Sequence, residues 1–143
     1  MAIRTSGYSG TPLAKKLGIK EKFIIKLINA PAYYFDLFSN FPSGVKIVKD
    51  NTSKKNFIHY FATNAEALDK DITSLKNQLE PNGMIWISWY KKSAKIPTDV
   101  TEDIIRDIAL KNNLVDIKVC AVDEIWSGLK LVIPVKDRSN QYH

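Results

Sequence analysis

The sequence is poor in the residues that most often bind metals or form cross-links. It contains one cysteine, Cys120, and two histidines, His59 and His143. A single thiol cannot close an internal disulfide, and these three residues do not form the spaced ligand pairs of a zinc site. We therefore predict no structural metal, and nothing in the sequence indicates a bound cofactor.

Long apolar runs are missing as well. The longest apolar stretches, such as residues 84–90, reach about seven residues, whereas a membrane-spanning helix needs about 20. The chain opens with the polar stretch MAIRTSGYSG, which lacks the basic start, apolar middle and cleavage site of a secretory signal. We therefore expect a cytoplasmic protein with no membrane segment.

Short catalytic motifs are also absent. The sequence holds no serine nucleophile elbow, no phosphate-binding P-loop, no HExxH motif and no GxGxxG motif. We interpret GYSG at residues 7–10 as a simple turn, because no strand precedes it. His59 lies in an apolar stretch and Cys120 lies within a predicted strand, so we interpret both as buried core residues. These absences argue against an enzyme but leave that class open.

The charge is positive and dispersed. A formal net charge of +6 comes from 21 lysines and arginines against 15 acidic residues, and only three of the basic residues are arginine. The lysines are scattered along the chain, which is more typical of a solvated surface than of a nucleic-acid footprint. The positive excess still favours an anionic ligand over a cationic one.

The hydrophobic content indicates one compact domain. Of the 143 residues, 45% are hydrophobic, which is enough to fill a single core. We assign residues 1–143 to one α/β domain, with its core at about residues 7–135 and a loose tail at residues 136–143.

Local patterns predict six strands and two short helices. A cap at Thr11, proline at Pro12 and a stop at Gly18 predict a helix that ends at Leu17. Helical spacing after Pro31 predicts another at residues 32–39. Apolar, β-branched stretches predict strands at residues 23–29, 45–48, 57–62, 84–90, 115–122 and 129–135.

Two capping boxes predict longer helices. Thr63 with Glu66 begins a helix that the Pro-Asn-Gly sequence at residues 81–83 should end, and Asp99 with Glu102 begins one that ends near residue 112. Strand and helix then alternate, which predicts an α/β fold: a mostly parallel sheet of about six strands, helices on both faces, and an antiparallel last strand. The strands at 23–29, 57–62 and 84–90 should be central. Residues 49–56 do not fit this alternation of strand and helix, because eight residues are too few for a helical crossover between parallel strands.

Three long stretches resemble an uncharacterised bacterial family, a domain of unknown function. They are GYSGTPLAKKLGIK at residues 7–20, WISWYKKSAKIPTDVTEDIIRDIAL at residues 86–110, which contains SWYKK, and LVDIKVCAVDEIWSGLKLVI at residues 114–133, which contains KVCAVDEIWSGL. More distantly, residues 63–135 are similar to the later half of the Rossmann-like methyltransferases. The resemblance implies a methyltransferase-like fold and leaves the activity open.

The first half of the chain departs from that superfamily at the cofactor turn. The resemblance would imply a glycine-rich turn after the first strand and an acidic residue at the end of the second, which together hold S-adenosylmethionine. Here the turn reads Asn29-Ala30-Pro31-Ala32, where proline removes a donor and side chains fill the space. We interpret Asp50, near the acidic position, as a loop residue. We therefore predict that S-adenosylmethionine does not bind well.

The candidate site follows from the topology. In an open parallel sheet, ligands bind at the carboxyl ends of the strands. The candidate ligand-binding residues that follow the predicted strands are Asn29, Tyr33, Lys91, Lys92, Ser93, Asp123, Glu124 and Trp126. The segments at 91–93 and 123–126 should form one patch. Two alternatives stay open: the tryptophan as a core residue, and the acidic pair as ion-pair partners of the lysines.

Three functions are compatible with this sequence. The one we favour is a non-catalytic module on a methyltransferase-like scaffold, which binds an anionic small molecule or a protein partner, since it requires no missing catalytic group. The second is an enzyme that acts on a nucleotide-like or phosphorylated substrate through Lys91 or Lys92 with Asp123 or Glu124. The third is nucleic-acid binding, which only the net charge supports.

Overall fold

A computed structural model of the chain describes residues 12–138. In chain order the elements are helix α1 (Leu13–Leu17), strands β1 (Ile24–Ile28), β2 (Lys46–Ile47) and β3 (Lys55–Phe61), helix α2 (Ala65–Asn77), strand β4 (Leu79–Tyr90), helix α3 (Glu102–Lys111), strands β5 (Val115–Ala121) and β6 (Trp126–Val132), and helix α4 (Val135–Arg138). Two 3-10 helices, Tyr34–Leu37 and Lys92–Ala94, lie in the loops that follow β1 and β4.

The strands form one six-stranded sheet in the order β2-β1-β3-β4-β6-β5. β1 pairs in parallel with β2 and β3, and β3 with β4, whereas β6 is antiparallel to both β4 and β5. The predicted class, a mostly parallel sheet with an antiparallel last strand, is confirmed. The three strands predicted to be central are internal to the sheet.

Apolar side chains pack against both faces of the sheet. On one side Ile58, Ile85 and Leu129 are buried with side chains of α2 and α3, and we call this side the α2/α3 face. On the other side Phe57 and Trp86 are buried with side chains of α1 and the first 3-10 helix, and we call this side the α1 face. The prediction of helices on both faces is therefore confirmed, although the α1 face has less helical cover.

Helix α2 begins at a cap one residue later than predicted. The side-chain oxygen of Asn64 accepts a hydrogen bond from the backbone N–H of Ala67 at 2.8 Å, so Asn64 is the cap and Thr63 is not. Glu66 lies 3.5 Å from Lys70, one helical turn ahead, and does not close a capping box. The sequence therefore predicted the helix correctly but not its cap, because two adjacent polar residues can both act as caps.

Helix α3 also begins later than predicted. Its cap is Thr101, whose hydroxyl oxygen accepts from the backbone N–H of Ile104 at 3.2 Å. Asp99, the predicted cap, instead accepts from the backbone N–H of Ala65 at 2.9 Å. One carboxylate thus caps the neighbouring helix α2 and ties the starts of the two helices together.

Strand β4 contains the residues that were expected to end α2. The helix ends at Asn77, and the Pro-Asn-Gly sequence at residues 81–83 lies inside the strand. A Cβ atom at Gly83 would lie 3.0 Å from the carbonyl oxygen of Asn56 and 2.9 Å from a methyl carbon of Leu79. The glycine therefore allows the chain at residue 83 to approach Asn56 and Leu79 closely. The prediction that it terminates the helix is wrong.

A loop held by two buried lysines replaces a crossover helix between β2 and β3. The Lys26 ammonium donates to the carbonyl oxygen of Asp50 and to Oε1 of Gln78, both at 3.0 Å. The Lys55 ammonium donates to the same two oxygens, at 2.7 Å and 3.0 Å. Because both amines are buried, these bonds replace their lost hydration. This arrangement explains how the short connection at residues 49–56 can join two parallel strands without a helix.

Other predicted elements are shorter or shifted. The helix expected at residues 32–39 is only the 3-10 helix Tyr34–Leu37. The cap at Thr11 and the turn at residues 7–10 lie outside the described residues. At the other end, Val135–Arg138 form α4, which overlaps the last residue of the predicted strand at 129–135 and the start of the tail expected at residues 136–143. No helix in residues 12–138 is long and apolar enough to cross a membrane.

Candidate ligand-binding site

The segments that follow β4 and β5 meet at one edge of the sheet. The backbone N–H of Lys91 donates to the carbonyl oxygen of Ile125 at 2.8 Å, and Tyr90 is the register partner of Trp126. β6 begins three residues before the predicted strand at 129–135, so the link from β5 is short. The predicted neighbours are therefore adjacent in the backbone, but their side chains lie in different surroundings.

A cleft of about 830 Å³ opens between the loop after β4 and the start of α3. Three of the candidate residues, Lys91, Lys92 and Ser93, line it, together with the hydroxyl-bearing Thr98 and Ser127. They are positioned by the second 3-10 helix, which turns the chain away from the sheet, and by the antiparallel strand β6. The cleft therefore presents two amines and several hydroxyl groups at the carboxyl end of β4.

The cleft also contains acidic groups that are not among the candidate ligand-binding residues. Glu102 and Asp103, in the first turn of α3, line it. Glu102 accepts from Arg106 at 2.7 Å. Within residues 12–138 neither Lys91 nor Lys92 forms an ion pair. The signal that could have revealed these acids is their place at a helix start immediately after the lysine-bearing loop.

Asp123 organises the loop between β5 and β6. Its Oδ1 accepts from the backbone N–H groups of Ile125 and Trp126, both at 2.8 Å, and its Oδ2 accepts from the Tyr33 hydroxyl at 2.7 Å. The side chain is buried, whereas that of Glu124 is exposed. The ion pairs considered between these acids and the two lysines after β4 do not form. Tyr33 and Asp123 are brought together, but as a contact that fixes the loop.

Trp126 packs as a core residue on the α1 face. It is 6% exposed, stacks on Tyr90 at 4.3 Å between ring centroids, and meets Phe61 edge-on at 4.9 Å. Of the two interpretations of this tryptophan, as a ligand-binding residue or as a core residue, the structure shows the second. Since Tyr90 also lines the cleft, Trp126 supports one wall of the cleft from behind.

The remaining reactive residue types lie away from the cleft. His59 is fully buried, with Nδ1 3.0 Å from the Tyr34 hydroxyl and Nε2 2.7 Å from the Ser88 hydroxyl. Burial lowers the pKa of His59 to about 3, so the ring is neutral. Burial likewise raises the pKa of Cys120. His59 is thus buried as predicted, whereas Cys120 is only half-buried and packs against the core of the α1 face.

Several solved structures with a similar fold are methyltransferases. A SAM-dependent methyltransferase from Aquifex aeolicus is 15% identical, with 85% of this chain and 88% of that chain covered and a TM-score of 0.58. Magnesium protoporphyrin IX methyltransferase from Synechocystis with bound SAM is 11% identical over 85% and 74%, with a TM-score of 0.54. Precorrin-6y C5,15-methyltransferase from Geobacter metallireducens is 10% identical over 85% and 86%, with a TM-score of 0.53.

These similarities show a methyltransferase-like fold. No family model matches the chain, and no curated protein matches it. The resemblance to an uncharacterised bacterial family therefore stays a prediction, while the more distant resemblance to the methyltransferase fold is confirmed.

The turn after β1 differs from the glycine-rich turn that would hold S-adenosylmethionine in this fold. Asn29 is exposed and has a positive φ of 58°, a conformation that glycine adopts without strain. The carbonyl oxygen of Pro31 accepts from the backbone N–H of Tyr34 at 3.0 Å, so the chain folds directly into the first 3-10 helix. Tyr34 is buried against Phe61 on the α1 face. The turn after β1 thus contains no glycine-rich backbone of the kind that approaches the cofactor in this fold.

Asp50 is not free to bind a ribose either. Its carboxylate accepts from the backbone N–H and the hydroxyl of Ser53, at 2.6 Å and 2.9 Å, and from the backbone N–H of Thr52 at 3.2 Å. The hydrogen bonds from Ser53 hold the pKa of Asp50 well below its usual range, and Lys55 adds to the effect. The interpretation of Asp50 as a loop residue agrees with these contacts.

Proposed function

We propose that this chain is a non-catalytic ligand-binding domain on a methyltransferase-like scaffold, and that its ligand is a small phosphorylated molecule. The observation that carries the proposal is the cleft at the carboxyl end of β4, lined by Lys91 and Lys92. Open α/β sheets bind ligands at this edge. Because neither amine has an ion-pair partner within residues 12–138, both are available to an anion.

The other cleft residues narrow the ligand's chemistry. Ser93 and Ser127 can donate to phosphate oxygens, and Asp103 can accept from sugar hydroxyl groups, whereas the Thr98 hydroxyl already donates to the carbonyl oxygen of Thr63 at 3.0 Å. Trp89 and Val100 give the cleft an apolar wall. A sugar phosphate or a nucleotide combines an anionic group, hydroxyl groups and an apolar surface, so these are the classes we expect.

The placement of the reactive residues supports a non-catalytic role. His59 and Ser88 are both fully buried and hydrogen-bonded to each other, away from the cleft lining. An enzyme acting on the same phosphorylated compound would need a general base in the cleft, and Asp103 is the residue placed for that role. Turnover of the bound ligand that is lost in Asp103→Asn would favour this second function.

The proposal is tested by a thermal-shift screen against nucleotides, sugar phosphates and CoA derivatives, followed by calorimetry on any ligand found. A ligand at 100 times its Kd adds about 2.7 kcal/mol to the free energy of unfolding. Lys92→Ala should weaken binding about 10- to 100-fold, because it removes a charged hydrogen-bond donor. Lys70→Ala, at a 75% exposed lysine side chain on α2, is the matched control.

Two results would count against this function. One is a screen in which no phosphorylated compound raises the melting temperature. The other is a ligand that the Lys92→Ala and Lys70→Ala variants bind as tightly as the unchanged protein does.

A further inference from the structure

The last two strands carry a pair of lysines on the α1 face of the sheet. Lys118 of β5 is the register partner of Lys130 of β6, and Lys130 is also the partner of Trp86 of β4. Directly opposed residues in antiparallel strands point to the same face. Trp86 is buried on the α1 face, where its indole N–H donates to the carbonyl oxygen of Leu17 at 2.8 Å. Both lysines therefore lie on that face.

The α1 face is covered over β4, whereas within residues 12–138 the side chains that β5 places on this face are exposed or half-buried. Val115, the partner of the core residue Val132, is 38% exposed. A register shift between residues 116 and 118 leaves Ile117 unpaired, and its side chain is 51% exposed. Val135 of α4, three residues beyond Val132, is 74% exposed. Exposed aliphatic residues thus lie on β5 and at the start of α4, next in the chain to the strand segments that carry the two lysines, and we call the combination of Val115, Ile117, Lys118, Lys130 and Val135 the open basic face.

Further cations surround this face. Burial lowers the pKa of Lys130, and the next three contributions come from Lys118, Arg138 and Lys20. All three charged neighbours that act on this amine are positive. Like charges placed directly opposite each other destabilise a strand pair, so the pair in β5 and β6 is unfavourable in the isolated chain.

Nearby acidic groups do not neutralise these cations. Asp116, in β5 itself, pairs with Arg106 of α3 at 3.1 Å, on the α2/α3 face. Glu21 accepts from the Ser43 hydroxyl at 3.3 Å. Asp137 of α4 forms no ion pair within residues 12–138.

Within residues 12–138, neither Lys118 nor Lys130 forms an ion pair with an acidic side chain. Acidic side chains of a partner would therefore complement the charge of the open basic face.

We propose that the open basic face docks an acidic amphipathic helix of a partner protein. A sheet face normally packs against a helix, and within residues 12–138 no such cover buries Val115 or Lys118 of β5. A helix with leucine or isoleucine along one stripe would cover Val115, Ile117 and Val135. Glutamates beside that stripe would meet Lys118 and Lys130.

The aliphatic character of the face favours a protein helix over other anionic partners. Single-stranded nucleic acids bind through aromatic stacking, and membrane-surface elements commonly insert tryptophan or phenylalanine. The exposed large apolar residues of β5 and α4 are all valine or isoleucine. A partner strand is disfavoured because the bulge at Ile117 and the lysine beside it protect the edge from pairing.

The test uses the full chain and a designed helical peptide of about 18 residues, with leucines at helical spacing and glutamates between them. A scrambled peptide of the same composition is the control for pattern. We expect calorimetry to show binding of the patterned peptide only, weaker at high salt. Amide shifts in NMR spectra should map to β5, β6 and α4.

Charge-reversal variants locate the site. Lys118→Glu should weaken peptide binding at least about tenfold, because it places like charges in contact. Lys70→Glu makes the same charge change at an exposed site on α2 and should leave binding unchanged. If Lys118→Glu fails to fold, Ile117→Ser tests the apolar half of the contact with the same expected direction.

Several outcomes would overturn the proposal. These are equal binding of the scrambled peptide, unchanged binding in the Lys118→Glu and Ile117→Ser variants, and self-association of the chain through this face. Tighter binding of oligouridylate or phosphatidylserine vesicles than of the patterned peptide, with the same dependence on Lys118, would assign the face to nucleic acid or to a lipid surface instead.

Discussion

Mild acid should destabilise this protein through a single buried residue, His59. Its ring stacks on Phe61 at 4.2 Å between centroids and is enclosed by the hydroxyls of Tyr34 and Ser88. A neutral imidazole satisfies both hydroxyls, since one ring nitrogen donates and the other accepts. An imidazolium ion would carry two donors and a charge into the core. The folded state therefore resists protonation of this ring.

The size of the effect follows from the two pKa values. Burial lowers the pKa of His59 from 6.5 to about 3 in the folded protein. Above pH 6.5 neither state binds this proton, and the free energy of unfolding is at its full value. As the pH falls from 6.5 towards 3, the unfolded chain binds a proton that the folded chain excludes. Stability then falls by about 1.4 kcal/mol per pH unit, or about 2 kcal/mol between pH 7 and pH 5.

Urea unfolding at pH 7 and at pH 5 measures this loss. His59→Gln removes the titrating group but keeps an amide that can donate and accept. The variant should be less stable than the unchanged protein at pH 7, and the difference should shrink by about 2 kcal/mol at pH 5. The other histidine, His143, is present in both proteins, so its titration cancels from the comparison. A stability difference that is the same at both pH values would refute the reasoning.

Further predictions concern packing, capping and cofactor binding. Gly128→Ala should destabilise the fold by about 1–3 kcal/mol in urea unfolding, because a Cβ there would lie 3.0 Å from the Trp86 ring; an unchanged midpoint would contradict this. Asn64→Ala should lower stability by about 1 kcal/mol and Thr63→Ala by clearly less, because only the first side chain caps α2; equal losses would contradict the cap assignment. Calorimetric titration with S-adenosylmethionine should show no low-micromolar binding, because Pro31 and its neighbours fill the cofactor turn. Binding in that range would reverse the conclusion and favour an enzyme.

Much of the fold could be predicted because it depends on local patterns. Apolar and β-branched runs identified every strand, and the alternation of strands with helices gave the mostly parallel sheet with its antiparallel end. Capping signals predicted α2 and α3 but not their first residues. Adjacent polar side chains such as Thr63 and Asn64 can both cap a helix, and the sequence does not show which of them accepts from a free backbone N–H. The Pro-Asn-Gly sequence was misassigned, because proline and glycine also occur where a strand is crowded by its neighbour.

The candidate site depended far more on tertiary structure. The sequence alone predicted that residues 91–93 and 123–126 follow strands whose carboxyl ends lie at the same edge of the sheet, and that His59 is a buried core residue. It did not determine that Asp123 would bind Tyr33, a residue 90 positions away, or that Trp126 would turn into the core. It also did not reveal that Lys26 and Lys55 share an oxygen of Gln78. Such contacts join residues distant in the chain, and they form only where packing brings the strands into register, so no local pattern encodes them.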